Sequence, residues 1–160
     1  MSAAQIAFVA GLFIVLVAVT AYSALVIGNA AYGGRTLGIA VFSRTRDHGE
    51  LGRAAFLAHR ISGFGIFAFL ALHILDIALY SLSRHLYDEV QRLYGSPPLR
   101  LFECGLLFAV LFHTANGLRL VAVDLTASAV WSRRALRIVV AATAILGAIG
   151  SGVILAPLFR

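Results

Sequence analysis

The sequence predicts an all-α integral membrane protein, a transmembrane helix bundle of four spans. Three observations lead there. Of 160 residues, 61% are hydrophobic and only 12% are charged, whereas soluble domains carry roughly a quarter charged residues. From Met1 to Gly34 there is no charged side chain. Four apolar stretches, at about 6–29, 54–81, 101–124 and 137–158, each reach the roughly 20 residues that cross a bilayer core. With short loops between them they predict a single membrane domain over residues 1–160.

The first span, Ile6–Asn29, is rich in Val, Ala, Leu and Phe. A secretory signal has basic residues before its apolar core, and here no Lys or Arg precedes Arg35, so the stretch reads as a membrane helix. Ala21, Ser23, Ala24 and Gly28 offer small residues for helix packing at its inner end. The Gly- and Arg-rich loop from Ala31 to Gly52 is long enough to touch a cytoplasmic partner. The second span runs from near Arg53 to near Tyr80. Leu86, Tyr87, Val90, Leu93 and Tyr94 then have the spacing of a short amphipathic helix, with Ser96-Pro97-Pro98 as its stop. The third span covers about Leu99–Asp124. Trp131 is expected near the inner interface. The fourth, Ile138–Leu158, is Ala/Gly-rich and should end at Pro157.

The formal charge of +6 comes from arginine, with no lysine present. Arg35, Arg44, Arg46 and Arg53 follow the first span, and Arg133, Arg134 and Arg137 follow the third. In the loop between the second and third spans, Asp88 and Glu89 dilute Arg84, Arg92 and Arg100. The positive-inside rule then places loops 30–53 and 125–136 in the cytoplasm and both termini outside. The positive charge therefore reflects topology and anionic headgroups of the membrane lipid. No basic patch interleaved with aromatics points to nucleic acid.

Cys104 is alone, so there is no disulfide framework or thiolate cluster, and it reads as a small apolar helix residue. No phosphate-cradling loop, Ser-His-Asp order or zinc spacing is present. The chemistry lies instead in histidines inside the spans, where ionisable groups are costly and usually face a cavity, a partner or a cofactor. His59 and His73 are fourteen residues apart, about 21 Å along a helix and about 40° short of whole turns. They share one side of the second span at different depths. His113 lies about 16 Å before Asp124 on the returning span, near mid-depth, with His73 further out. One hairpin thus presents imidazoles at two depths, as stacked haems would require. Ala109, His113 and Gly117 share a helix face, and His59 has Gly63 one turn on. Small residues there would leave room for a flat macrocycle. Each iron needs two axial ligands, so a second membrane subunit would supply the others.

Other readings stay open at this level. A membrane histidine can simply bond a neighbouring helix. Asp76, one turn after His73, fits a proton relay or a partner for an interfacial arginine. Arg60 and Arg119 can bind propionates or snorkel to headgroups. Glu103 reads as interfacial, and His48 and His85 as solvated loop residues. A transporter or proton channel would need broken helices or a continuous polar stripe, and the spans are largely uninterrupted.

His59-Arg60-Ile61-Ser62-Gly63 and His113-Thr114-Ala115-Asn116-Gly117-Leu118-Arg119, followed by Asp124, carry a resemblance. In order and spacing they resemble the cytochrome b membrane-anchor subunit of succinate dehydrogenase (succinate:quinone oxidoreductase). Leu72-His73-Ile74-Leu75-Asp76 and Tyr87-Asp88-Glu89-Val90 look like its two-haem, actinobacterial-like branch. The resemblance covers about residues 53–126.

It implies two haem b groups shared with a second hydrophobic anchor subunit, and electron transfer to a quinone, with menaquinone expected. It also implies an iron-sulfur subunit and a FAD flavoprotein subunit as partners, a bacterial inner membrane, and room for a higher oligomer of the whole complex. His113 would ligate the inner haem iron and His73 the outer. His59, Arg60, Ser62, Gly63, Gly117 and Arg119 would line the inner haem propionate and quinone region. A haem-free anchor and a fumarate reductase anchor are the alternatives.

Two positions depart from the family pattern. Phe56 stands where many single-haem relatives carry a quinone-binding Ser, and Leu120 where they often carry His. The first span is also additional to the usual three. It is expected to pack over the inner quinone region; a structure with that helix remote from Arg60 would end the idea.

Overall fold

The computed structural model describes residues 2–31, 50–126 and 129–159. Five α-helices and one 3-10 turn make up the described residues, and no strand occurs among them. They are α1 (Ala3–Ala31), α2 (Glu50–Leu82), α3 (Arg84–Tyr94), α4 (Pro97–Thr126) and α5 (Ala129–Leu155), then the turn Ala156–Phe159. Four helices are long and apolar enough to cross a membrane, as expected: Ala3–Asn29, Gly52–Leu82, Pro97–Leu125 and Arg133–Phe159.

Local chemistry sets the ends of these helices. At the start of α1, Ser2 Oγ accepts from the Gln5 amide at 3.3 Å and Gln5 Oε1 accepts from the Ser2 amide at 3.1 Å, a reciprocal capping box. The prolines behave differently from the sequence expectation. α3 already ends at Tyr94, and Pro97 and Pro98 open α4 instead of trailing its predecessor. The first helical turn tolerates proline because its N–H groups have no partner within the helix. Pro157 falls in the closing 3-10 turn, so α5 stops just before it, at Leu155.

The helices pack in the order α1, α2, α4, α5, with α2 against both α1 and α4 and α5 mainly against α4. α1 and α2 run antiparallel: a Cβ on Gly11 would meet Leu72 at 2.9 Å, Gly65 faces Val19, and Tyr22 stacks on Phe64 at 4.4 Å. The close approach is at Gly11. Gly28, expected to pack closely, has open space where its Cβ would be. On α5, Gly147 lies under the Phe108 ring, and a Cβ on Gly150 would be 2.5 Å from Leu107. Gly147 and Gly150 of the fourth span therefore face α4.

Outward surfaces stay apolar: Phe13, Ile14, Phe67, Leu75, Leu101, Leu118, Ile138 and Val153 are all exposed. Such continuous apolar exposure suits a lipid or partner-helix environment. α3 is the exception. It buries Val90 completely and leaves Arg84, His85, Asp88 and Arg92 exposed, which is the amphipathic helix the spacing predicted. It packs on α1 and α2. Gln5 Nε2 donates to the Glu89 carbonyl at 3.0 Å, and Phe8 meets Tyr94 ring to ring at 5.5 Å. His48, the loop arginines Arg35, Arg44 and Arg46, and the side chain of Trp131 lie outside the described residues.

Candidate functional site

At one end of the α2–α4 pair, two histidines meet face to face. The rings of His59 (α2) and His113 (α4) stack with centroids 4.0 Å apart and planes 2° from parallel. Glycines make this contact. A Cβ on Gly63 would be 2.6 Å from His113 Cε1, and one on Gly117 would be 3.5 Å from His59 Cε1. Each histidine thus sits over the glycine of the facing helix, and each glycine is one turn beyond the histidine of its own helix. The room predicted beside the imidazoles is taken, on this side, by the opposite ring.

His113 Nδ1 lies 3.0 Å from the His59 backbone carbonyl. A carbonyl oxygen only accepts, so Nδ1 is the donor, and in the neutral ring Nε2 then keeps its lone pair. Ser62 Oγ sits 3.3 Å from the same Nδ1 and donates to the same carbonyl at 3.1 Å. This is the arrangement that fixes the tautomer of a metal-ligating histidine from behind. One turn away, Asn116 is only 1% exposed and its Oδ1 accepts from Arg119 Nε at 2.9 Å. Arg60 lies over the Phe56 ring at 5.5 Å. His59, Arg60, Ser62, Gly63, His113, Gly117 and Arg119 therefore gather at one end, together with Asn116, which the sequence reading did not single out. Asn116 sits three residues before Arg119 on the same helix, a spacing that could have flagged it.

The other end is built differently. His73 stacks only on Phe69 of its own helix, at 5.8 Å, and Phe69 in turn touches Phe102 of α4. His73 Nδ1 is buried with no hydrogen-bond partner. Asp76 is 2% exposed and answers to α3, not to an arginine: its Oδ2 accepts from Tyr94 Oη at 2.9 Å and from Gln91 Nε2 at 3.3 Å. Its Oδ1 is buried and unpartnered. Burial and the Asp76 carboxylate push the Tyr94 phenol well above its ordinary value. His85 is exposed and lies 3.9 Å from Glu89, in keeping with a solvated position.

The donor set fits axial ligation of haem iron from one side. Among the described residues no three His, Cys, Asp or Glu side chains converge as a free metal ion would require. His113 instead offers one unprotonated nitrogen with its other nitrogen anchored. His73 offers a ring nitrogen, Nδ1, that nothing among the described residues satisfies. The additional helix α1 packs on α2, and the register set by Gly11–Leu72 and Tyr22–Phe64 carries Ser23–Val26 level with Arg60.

Comparison with known proteins gives the family of the chain. Residues 40–150 match the family described as succinate dehydrogenase/fumarate reductase transmembrane subunit. The chain is also 43% identical over 81 residues to the succinate dehydrogenase 2 membrane subunit SdhC of Mycobacterium tuberculosis (strain ATCC 25618 / H37Rv). That match covers 51% of this chain and 60% of the relative's length. The chain is a multi-pass membrane protein and belongs to the succinate dehydrogenase/fumarate reductase transmembrane subunit family.

Proposed function

We propose that this chain is the haem b-binding membrane anchor of a succinate dehydrogenase, passing electrons from the iron-sulfur subunit to membrane quinone, with menaquinone as the acceptor. The observation that carries the reading is His113, whose Nδ1–H is tied to the His59 carbonyl so that Nε2 is left to ligate. His73 is the second axial ligand, at the other depth. When bound, haem iron alternates between ferric and ferrous and so carries one electron at a time.

The chain's own residues do the rest. The Gly63 and Gly117 gaps let α2 and α4 close on the imidazoles. Arg60 and Arg119 supply cationic groups for propionates, and Asn116 orients Arg119. Phe56 removes a hydroxyl from the usual quinone position, so polar contact to quinone falls to the Arg60–Ser62 segment. α1 covers that face. Asp76 presents Oδ1, the oxygen that Tyr94 and Gln91 leave open, as a relay point for protons. The second ligand of each iron comes from a second hydrophobic subunit. The flavoprotein and iron-sulfur subunits dock at the arginine-rich, cytoplasmic end, in a bacterial inner membrane.

The test is purification of the intact complex from detergent. The reading expects flavoprotein, iron-sulfur and second membrane subunits to co-purify with two haem b per complex. A complex that reduces quinone with no b-type band would instead establish a haem-free anchor. Faster fumarate reduction than succinate oxidation would reverse the direction.

A further inference from the structure

We infer that His59 is a positioning residue that sets the rotational angle of the His113 imidazole through the contact between the two ring faces. The inference rests on the haem reading of His113. A ligating imidazole has one soft degree of freedom, rotation about the bond from its nitrogen to the iron. In this chain two contacts remove it. The Nδ1–H bond to the His59 carbonyl ties one edge at 3.0 Å. The His59 ring then lies flat on the face, 4.0 Å away and within 2° of parallel. The same residue supplies both, one through its backbone and one through its side chain.

The arrangement leaves the ligand nitrogen open. A ring stacked on a face does not lie in the plane of that ring, and the lone pair of Nε2 points along the plane. His59 Nδ1 is itself buried without a hydrogen-bond partner, so no polar contact of that nitrogen explains the ring's placement. Gly117 faces that ring, and a Cβ there would meet His59 Cε1 at 3.5 Å, an ordinary van der Waals contact. The tight side of the stacked pair is at Gly63, where a Cβ would be 2.6 Å from His113 Cε1.

The orientation of an axial imidazole plane relative to its partner plane governs the splitting of the iron d orbitals, and through it the g-values of a low-spin ferric haem and its midpoint potential. The test uses the whole complex carrying His59→Ala or His59→Phe, read by haem content, low-temperature EPR and redox titration. The expected result is full haem content in both variants. In His59→Ala the largest g-value of the inner haem moves and its potential shifts. In His59→Phe, whose ring keeps the stacked face, both readings return toward wild type, and the outer haem is unchanged throughout.

An unchanged inner-haem spectrum in His59→Ala would overturn the inference. So would a His59→Phe variant that behaves like His59→Ala, because the ring nitrogens and not the face would then matter. Absence of any haem from the wild-type complex would be a separate failure, that of the haem reading itself.

Discussion

At the His59 end of the α2–α4 pair the chain itself fixes the ring of His113. His113 is hydrogen-bonded, stacked and seated over a glycine, all by residues of this chain. At the Asp76 end the carboxylate is clasped by α3, but His73 has a ring contact with Phe69 one turn away and leaves Nδ1 without a partner among the described residues. A buried polar nitrogen without a partner costs roughly 1–3 kcal/mol, and natural structures rarely leave such a cost uncompensated. The ring of His113 is thus fixed by this subunit alone. His73 has no backbone hydrogen bond of that kind, although His59 Nδ1 is likewise buried without a partner among the described residues.

The largest expected break in this comparison is Gly63→Ala. Its Cβ would fall 2.6 Å from His113 Cε1, and overpacking of this kind costs about 1–3 kcal/mol. Haem content in the purified complex should fall at the inner site while the outer haem persists. Equal loss of both would mean that the ends are not independent.

A second prediction sharpens the contrast without mutation. Increasing detergent should strip the outer haem before the inner one, because His73 lacks the backbone hydrogen bond that anchors His113. Spectra of the residual b-type band during the titration check the order of loss; loss of the inner haem first would contradict it.

Removing the outer clasp should act on stability more than on haem. Asp76→Ala leaves Tyr94 Oη and Gln91 Nε2 without their acceptor, at a cost of about 1–3 kcal/mol. Thermal unfolding of the detergent-solubilised complex should shift down, with a smaller shift for Asp76→Asn, whose Oδ1 can still accept.

The smallest effect is in the pH dependence. The folded Tyr94 phenol holds its proton above the ordinary value of 10.0. Its contribution is therefore fully present below pH 10 and declines as pH rises beyond it, because the unfolded chain ionises first. Tyr94→Phe should remove that alkaline decline, and thermal scans on either side of pH 10 check it.

Much of the fold was legible in the sequence because membrane helices are set by hydropathy and length. The four spans and the amphipathic α3 follow from that period alone. The separation of His59 and His73 along α2 also follows from helix rise. Contacts between helices were less legible. Ala109, His113 and Gly117 reveal a face but not what fills it, and only the antiparallel register of α2 on α4 brings His59 onto Gly117. The partner of Asp76 was hidden for the same reason: Tyr94 lies 18 residues on, on a helix that folds back against α2. Pro97 and Pro98 were ambiguous because proline both stops one helix and starts the next. The match to the succinate dehydrogenase/fumarate reductase family extends beyond residues 53–126 at both ends.

The most direct measurement is the reduced-minus-oxidised spectrum and haem stoichiometry of the complex with His73→Ala and with His113→Ala. Each variant should lack one low-spin haem, the outer in the first and the inner in the second, with the remaining haem intact. Retention of both haems in either variant would contradict the assignment of these two histidines as axial ligands.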